Sequence, residues 1–186
     1  MNRRTLLTGF AAVVLAAAMR PFAALAQTAI DRENLIYLDL KQGRVEIQLF
    51  PDLAPKHVER VKILARKGFY DNTPFHRVIE GFMAQGGDPT GTGNKGSDLP
   101  DLPSEFTVKR HFLRGTVGAA RTANPNSANS QFFIMFAPNP SLDGQYTIWG
   151  QVVKGMEFVD QIKRGEGGSM TNPDRIVKMQ VAADVK

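Results

Sequence analysis

The sequence predicts a mainly β domain in which about eight short strands form a closed or sandwiched antiparallel sheet, accompanied by two helices. Three observations carry this prediction. Apolar and polar residues alternate in short runs near both ends of the domain. The stretch from 73 to 150 breaks into short apolar runs separated by turn residues, and helical spacing occurs only twice. Strands and helices do not alternate along the chain, which argues against a βαβ array. No internal repeat or low-complexity linker divides it, so a single domain is expected.

The first 26 residues stand apart from that domain. Asn2-Arg3-Arg4, the apolar run from Leu6 to Met19, and Ala24-Leu25-Ala26 have the charged, apolar and small-x-small order of a cleavable export signal. Arg20 and Pro21 interrupt the run before it reaches membrane-spanning length, so no stable membrane association is expected after cleavage. The Arg3-Arg4 pair is compatible with either the twin-arginine or the general secretory route. The expectation is a periplasmic domain of residues 27–186. Loss of Arg3, Arg4 and Arg20 lowers the formal charge from +5 to +2, which leaves little basis for nucleic-acid binding.

The elements follow in order. Residues 35–40 and 45–49 alternate apolar and polar side chains around the insert Lys41-Gln42-Gly43-Arg44, the pattern of a β-hairpin. Asp52 is placed to cap a helix with Pro55 in its first turn; Val58, Val61, Leu64 and Ala65 give that helix one apolar face. Arg66 and Lys67 suit its C-terminal dipole, and Gly68 suits a left-handed terminating residue. Short strands are expected at 75–79, 82–85, 116–120, 132–136 and 146–149. A second helix is expected from Met156 through Val159 and Ile162, ending at Gly165, before a last strand carrying Val177, Met179 and Val181.

Several chemistries are excluded. The chain has no Cys, which removes thiol nucleophiles, disulfides and Cys-ligated zinc. Gly91-Thr92-Gly93-Asn94-Lys95-Gly96 has G-x-G-x-x-G spacing, but no apolar strand precedes it. The Pro-interrupted segment 97–103 that follows cannot open a helix to hold a phosphate. His57, His76 and His111 lack metal-ligand spacing, and no G-x-S-x-G elbow surrounds Ser130. Asp39 and Glu46, on the polar positions of the hairpin, read as solvation.

What remains is Phe75-His76-Arg77-Val78-Ile79-Glu80-Gly81-Phe82-Met83-Ala84-Gln85-Gly86-Gly87-Asp88, where a cation, an amide and several apolar side chains lie close together. This run resembles the signature of the cyclophilin family of peptidyl-prolyl cis–trans isomerases, as do Asn129-Ser130-Gln131-Phe132-Phe133-Ile134 and Leu142-Asp143-Gly144. The correspondence runs in order from about Leu35 to Val185. It implies a closed eight-stranded antiparallel β-barrel capped by two α-helices, and isomerisation of X–Pro bonds without a cofactor.

The resemblance also assigns roles. It implies that Arg77 is the catalytic arginine, with Phe82 and Gln85 beside it. Met83, Phe133, Leu142 and Tyr146 are expected to form the proline pocket, and Gln131 and Gly91 to contribute neighbouring contacts. Thr122 and Ala123 lie where the family's backbone groups pair with the extended substrate. Strand alternation would send Phe82 and Met83 to opposite faces, so a bulge or strong twist is needed to bring both to one site. Phe132 is expected in the barrel core, and Trp149 packs in its own strand.

Isomerisation suits a chain that lacks thiols and nucleophile motifs. Rotation about X–Pro meets a barrier of about 20 kcal/mol because the amide loses resonance, yet no bond is made or broken. A ring pocket, anchors on the flanking peptide and a donor favouring the twisted amide suffice. Ser141 departs from the family, whose members carry an aromatic residue there, so weak cyclosporin binding is expected. The expected partners are proline-containing unfolded or newly exported polypeptides, the expected state is a monomer, and the competing reading is a proline-peptide binder or holdase with little turnover.

Overall fold

The protein is described by a computed structural model covering residues 31–167 and 170–186; the signal-like segment 1–26 lies outside the described residues. Strands β1 (Leu35–Leu40) and β2 (Gly43–Leu49) form the expected hairpin, with Leu40 opposite Gly43, so the turn proper is only Lys41 and Gln42. Helix α1 (Pro55–Arg66) follows. The middle of the chain supplies β3 (Arg77–Ile79), β4 (Met83–Gly86), β5 (Thr116–Ala119), β6 (Phe132–Met135) and β7 (Ile148–Lys154). A one-turn α2 (Met156–Val159), the two-residue β8 (Gly165–Glu166) and β9 (Ile176–Val181) complete it.

The expected closed eight-stranded barrel does not form. The sheet is a nine-stranded antiparallel half-barrel with the open order β8-β3-β4-β6-β5-β7-β2-β1-β9. Its two ends approach where residues 72–75 meet 174–176, through Asn72 N–H to Ile176 O at 2.7 Å, Ile176 N–H to Thr73 O at 2.9 Å and Phe75 N–H to Asp174 O at 2.9 Å. Pro74 sits opposite Arg175 in the middle of this seam, at a pair flanked by these bonds whose own N–H groups face away from the partner, so the missing Pro74 donor costs no bond across it. Only this isolated bridge forms there, and no continuous ladder joins the two ends.

Helix α1 departs from expectation at its start. Ala54 occupies the cap position without a side-chain bond, and Asp52 does not cap. Glu105, from a distant loop, accepts the Lys56 and His57 N–H groups at 3.1 Å each and the His57 Nδ1 at 2.7 Å. One carboxylate thus replaces the missing local cap. The end of the helix is as expected: Gly68 has φ +66°, and Phe69 N–H reaches back to Leu64 O at 3.0 Å. Helix α2 is one turn rather than the expected run to Gly165. After Asp160 the chain tightens into Gln161 N–H to Phe158 O and Ile162 N–H to Val159 O, while Ile162 stays buried.

Two apolar clusters divide the interior. In the larger, the Phe132 ring meets Tyr70, Phe75 and Trp149 edge-on at 5.8, 6.3 and 6.0 Å. The smaller gathers Phe50, Met83, Phe112, Phe133, Met135 and Ile148 on the other face. Adjacent Phe132 and Phe133 therefore serve different clusters, as alternation along β6 requires. The smaller cluster is the floor of the site.

Candidate active site

The site is built on one line of residues that crosses the sheet. Arg77 on β3 lies opposite Gln85 on β4, Gln85 opposite Phe133 on β6, and Phe133 opposite Gly118 on β5. Directly opposed residues in antiparallel strands share a face, so a guanidinium, an amide and an aromatic ring stand side by side. Gly118 makes room for that ring: a Cβ there would lie 2.6 Å from Phe133 Cζ and 2.7 Å from Phe112 Cε1. The Phe133 ring stacks on Phe112 at 5.6 Å and meets Tyr146 edge-on at 5.7 Å.

Above this floor is a cleft of about 130 Å³ lined by Arg77, Phe82, Met83, Gln85, Phe133, Leu142 and Tyr146, together with Ala120 and Arg121. Phe82 and Met83 reach it together without a bulge, because the β3–β4 register is regular. Phe82 lies in the turn before β4, where its N–H bonds Ile79 O at 3.1 Å and Gly81 adopts φ +69°. Outside the strand, alternation does not apply to it.

Other residues expected at the site lie apart. Gln131 and Thr122 line an adjoining polar cleft of about 300 Å³, and Gly91 a third of about 650 Å³; Gln85 borders all three. Ala123 lines none of them. Both backbone groups of Thr122 are used within the loop, its N–H by Ser127 Oγ at 2.9 Å and its carbonyl by Arg121 at 2.8 Å.

Local networks fix the lining. Gln85 Nε2 donates to Gln131 Oε1 at 3.0 Å, and Gln131 Nε2 donates to the Gly93 and Lys95 carbonyls at 2.9 Å each. This leaves Gln85 Oε1 without a hydrogen-bond partner among the described residues. Asp143, next to Leu142, accepts Phe112 N–H at 2.8 Å and the His111 Nδ1 at 2.7 Å. The Phe112 amide, with the His111 ring, holds its carboxyl below the usual range, which ties one wall of the cleft to the floor. In the loop that follows β4, buried Asp88 is pushed up by desolvation. The Thr90 hydroxyl and the Thr90, Lys95 and Gly93 amides outweigh that and hold it low. Burial pulls the His76 ring below the usual imidazole range, against the opposing pull of Asp88.

Two lining residues escaped sequence reasoning. Ala120 and Arg121 follow β5, and Arg121 lies 4.4 Å from the Tyr146 ring centroid while donating to Gln145 O at 2.8 Å. Their place immediately before Thr122 was the available signal. Ser141, in the 3-10 turn Pro140–Leu142, is exposed and bonds Asn139 Oδ1 at 2.6 Å; it does not line the apolar cleft. Among the described residues no group of three metal-ligating side chains gathers, and no helix is long and apolar enough to cross a membrane.

A half-barrel carrying a small aromatic-floored cleft, flanked by a forked cation and a side-chain amide, defines a cyclophilin-like peptide-binding scaffold. The chain belongs to the cyclophilin-type peptidyl-prolyl cis–trans isomerase family, whose model matches residues 35–181. It is 53% identical over 173 residues to a probable peptidyl-prolyl cis–trans isomerase of Brucella suis, covering 86% of this chain and 88% of the relative. A peptidyl-prolyl cis–trans isomerase-like 1 protein of Gibberella zeae is 40% identical over 154 residues, covering 81% and 94%. Among solved structures, the Hirschia baltica cyclophilin AquaCyp293 superposes with TM-score 0.76 at 29% identity, covering 84% of this chain and 77% of that one. A Cryptosporidium parvum cyclophilin-type isomerase, crystallised in the presence of the dipeptide Ala-Pro, gives 0.73 at 28%, covering 79% and 98%.

Proposed function

We propose that this chain accelerates rotation about X–Pro bonds in unfolded or newly exported polypeptides, with residues 1–26 acting as a removable export signal and the domain working as a periplasmic monomer. The observation that carries the catalytic reading is the placement of Arg77 and Gln85 beside the cleft floored by Phe133. The proline ring enters between Phe82, Met83, Phe133, Leu142 and Tyr146, with an aromatic floor suited to a saturated ring. Gln85 Oε1 accepts a backbone N–H of the flanking peptide, which holds one side of the bond while the other turns.

Arg77 acts on the turning amide. As resonance is lost, the prolyl nitrogen gains a localised lone pair, and a guanidinium N–H donates to it more strongly than to the planar ground state. Hydrogen bonds from charged donors contribute roughly 1.5–3 kcal/mol, about a ten- to hundredfold rate effect if confined to the transition state. The cleft excludes water from one face of the amide and strengthens that bond. The similarity to a protein studied with Ala-Pro supports a proline-containing ligand here. Residues 27–186 are expected to speed cis-to-trans conversion of a short X–Pro peptide. Saturable binding with an unchanged rate would instead identify a proline-peptide binder.

A further inference from the structure

The line of residues that builds the site continues one strand further than the cleft. Across the β3–β8 pairing, Glu166 lies opposite Arg77, just as Gln85 does across β3–β4. Glu166, Arg77, Gln85, Phe133 and Gly118 thus form one row across β8, β3, β4, β6 and β5, all on one face. Arg77 Nε donates to Glu166 Oε2 at 3.0 Å. No other side-chain hydrogen bond of Arg77 is formed among the described residues, so both Nη groups keep their donors.

A long side chain on a three-residue strand, with 42% of its side-chain surface exposed, has several rotamers open to it. Its guanidinium is a planar fork, so fixing Nε fixes the plane in which the Nη donors point. Arg77 borders both the apolar cleft and the larger cleft that Glu166 lines, and the bond to Glu166 pins it at their boundary. We propose that Glu166 is a positioning residue for Arg77: it holds Nε at the rim so that the Nη donors stay available to the turning amide. This deepens the isomerase reading and rests on the role of Arg77 in it.

An exposed ion pair of this kind contributes little to folding stability, so the informative readout is kinetic. Isomerisation of an X–Pro peptide is measured with the parent, Glu166→Ala, Glu166→Gln, Arg77→Ala and the Arg77→Ala/Glu166→Ala double variant. The parent accelerates the reaction. Glu166→Ala lowers kcat about two- to fivefold with KM and melting temperature little changed. Glu166→Gln, whose amide oxygen still accepts from Nε, recovers most of the loss. Adding Glu166→Ala to Arg77→Ala has no further effect. Exchange of the Arg77 Nε proton, followed by NMR, is slow in the parent and faster in Glu166→Ala. An inactive parent would defeat the isomerase reading itself. An active parent in which Glu166→Ala changes nothing, reduces the rate equally with and without Arg77, or leaves Nε exchange unaltered would overturn the positioning role.

Discussion

Adding one methyl group at Gly118 tests whether the cleft floor is as tightly set as the structure shows. The new Cβ would lie 2.6 Å from Phe133 Cζ and 2.7 Å from Phe112 Cε1. Ordinary carbon contacts fall near 3.5–4.0 Å, so one or both rings must retreat by about 1 Å. Neither has space. Phe112 and Phe133 are 1% and 5% exposed, stack on each other, and Phe133 is held on its other side by the Tyr146 edge. Gly118 itself has no left-handed backbone to disturb, so the penalty of Gly118→Ala is steric. Overpacking of this kind costs about 1–3 kcal/mol, or a fall in Tm of roughly 2–12 °C for a domain of this size. Because the displaced ring is the floor, kcat/KM should fall in the same variant. Thermal melts and peptide isomerisation check both. A Tm within about 1 °C of the parent together with unchanged kcat/KM would refute the packing argument.

Three further outcomes are expected. Ser141→Trp restores an aromatic side chain beside Leu142 and tightens cyclosporin inhibition by roughly ten- to a hundredfold, from about 1–3 kcal/mol of added burial; nanomolar inhibition of the parent would contradict this. Glu105→Ala removes the carboxylate that holds the start of α1 and the buried His57 ring, and lowers stability by about 1–3 kcal/mol in denaturant titration. Burial holds His57 low against the pull of Glu105 and likewise lowers His76, so between pH 7 and pH 5 the unfolded chain binds protons that the folded chain refuses. Stability therefore falls as pH drops from about 6.5, and Tm at pH 5 should lie below that at pH 7, with both ring titrations by NMR centred below 6.5.

Much of the fold is legible where the signal is local. The hairpin of β1 and β2 follows from two-residue alternation, the end of α1 from Gly68, and the division of labour between Phe132 and Phe133 from the period of a strand. The unread parts depend on residues far apart in the chain. Whether the sheet closes is decided where residues 72–75 meet 174–176, far along the chain, and only the isolated Pro74–Arg175 bridge forms there. The cap of α1 comes from Glu105, 48 residues after His57, and no local pattern announces it. The site shows the same division. Its motif run places Arg77, Phe82, Met83 and Gln85 in one neighbourhood, but Phe82 reaches the cleft from a turn that alternation could not anticipate. Glu166 enters only through strand pairing 89 residues away from Arg77.

The most direct test compares residues 27–186 with their Arg77→Ala variant in a cis-to-trans assay on a short X–Pro peptide, at equal and verified folding. Arg77 is half-buried at the sheet rim, so its removal should leave the fold intact. The account predicts clear acceleration by the parent and a loss of about tenfold or more in the variant, equivalent to at least ~1.4 kcal/mol of transition-state stabilisation from the guanidinium. A parent and variant that accelerate the reaction equally would contradict the role given to Arg77.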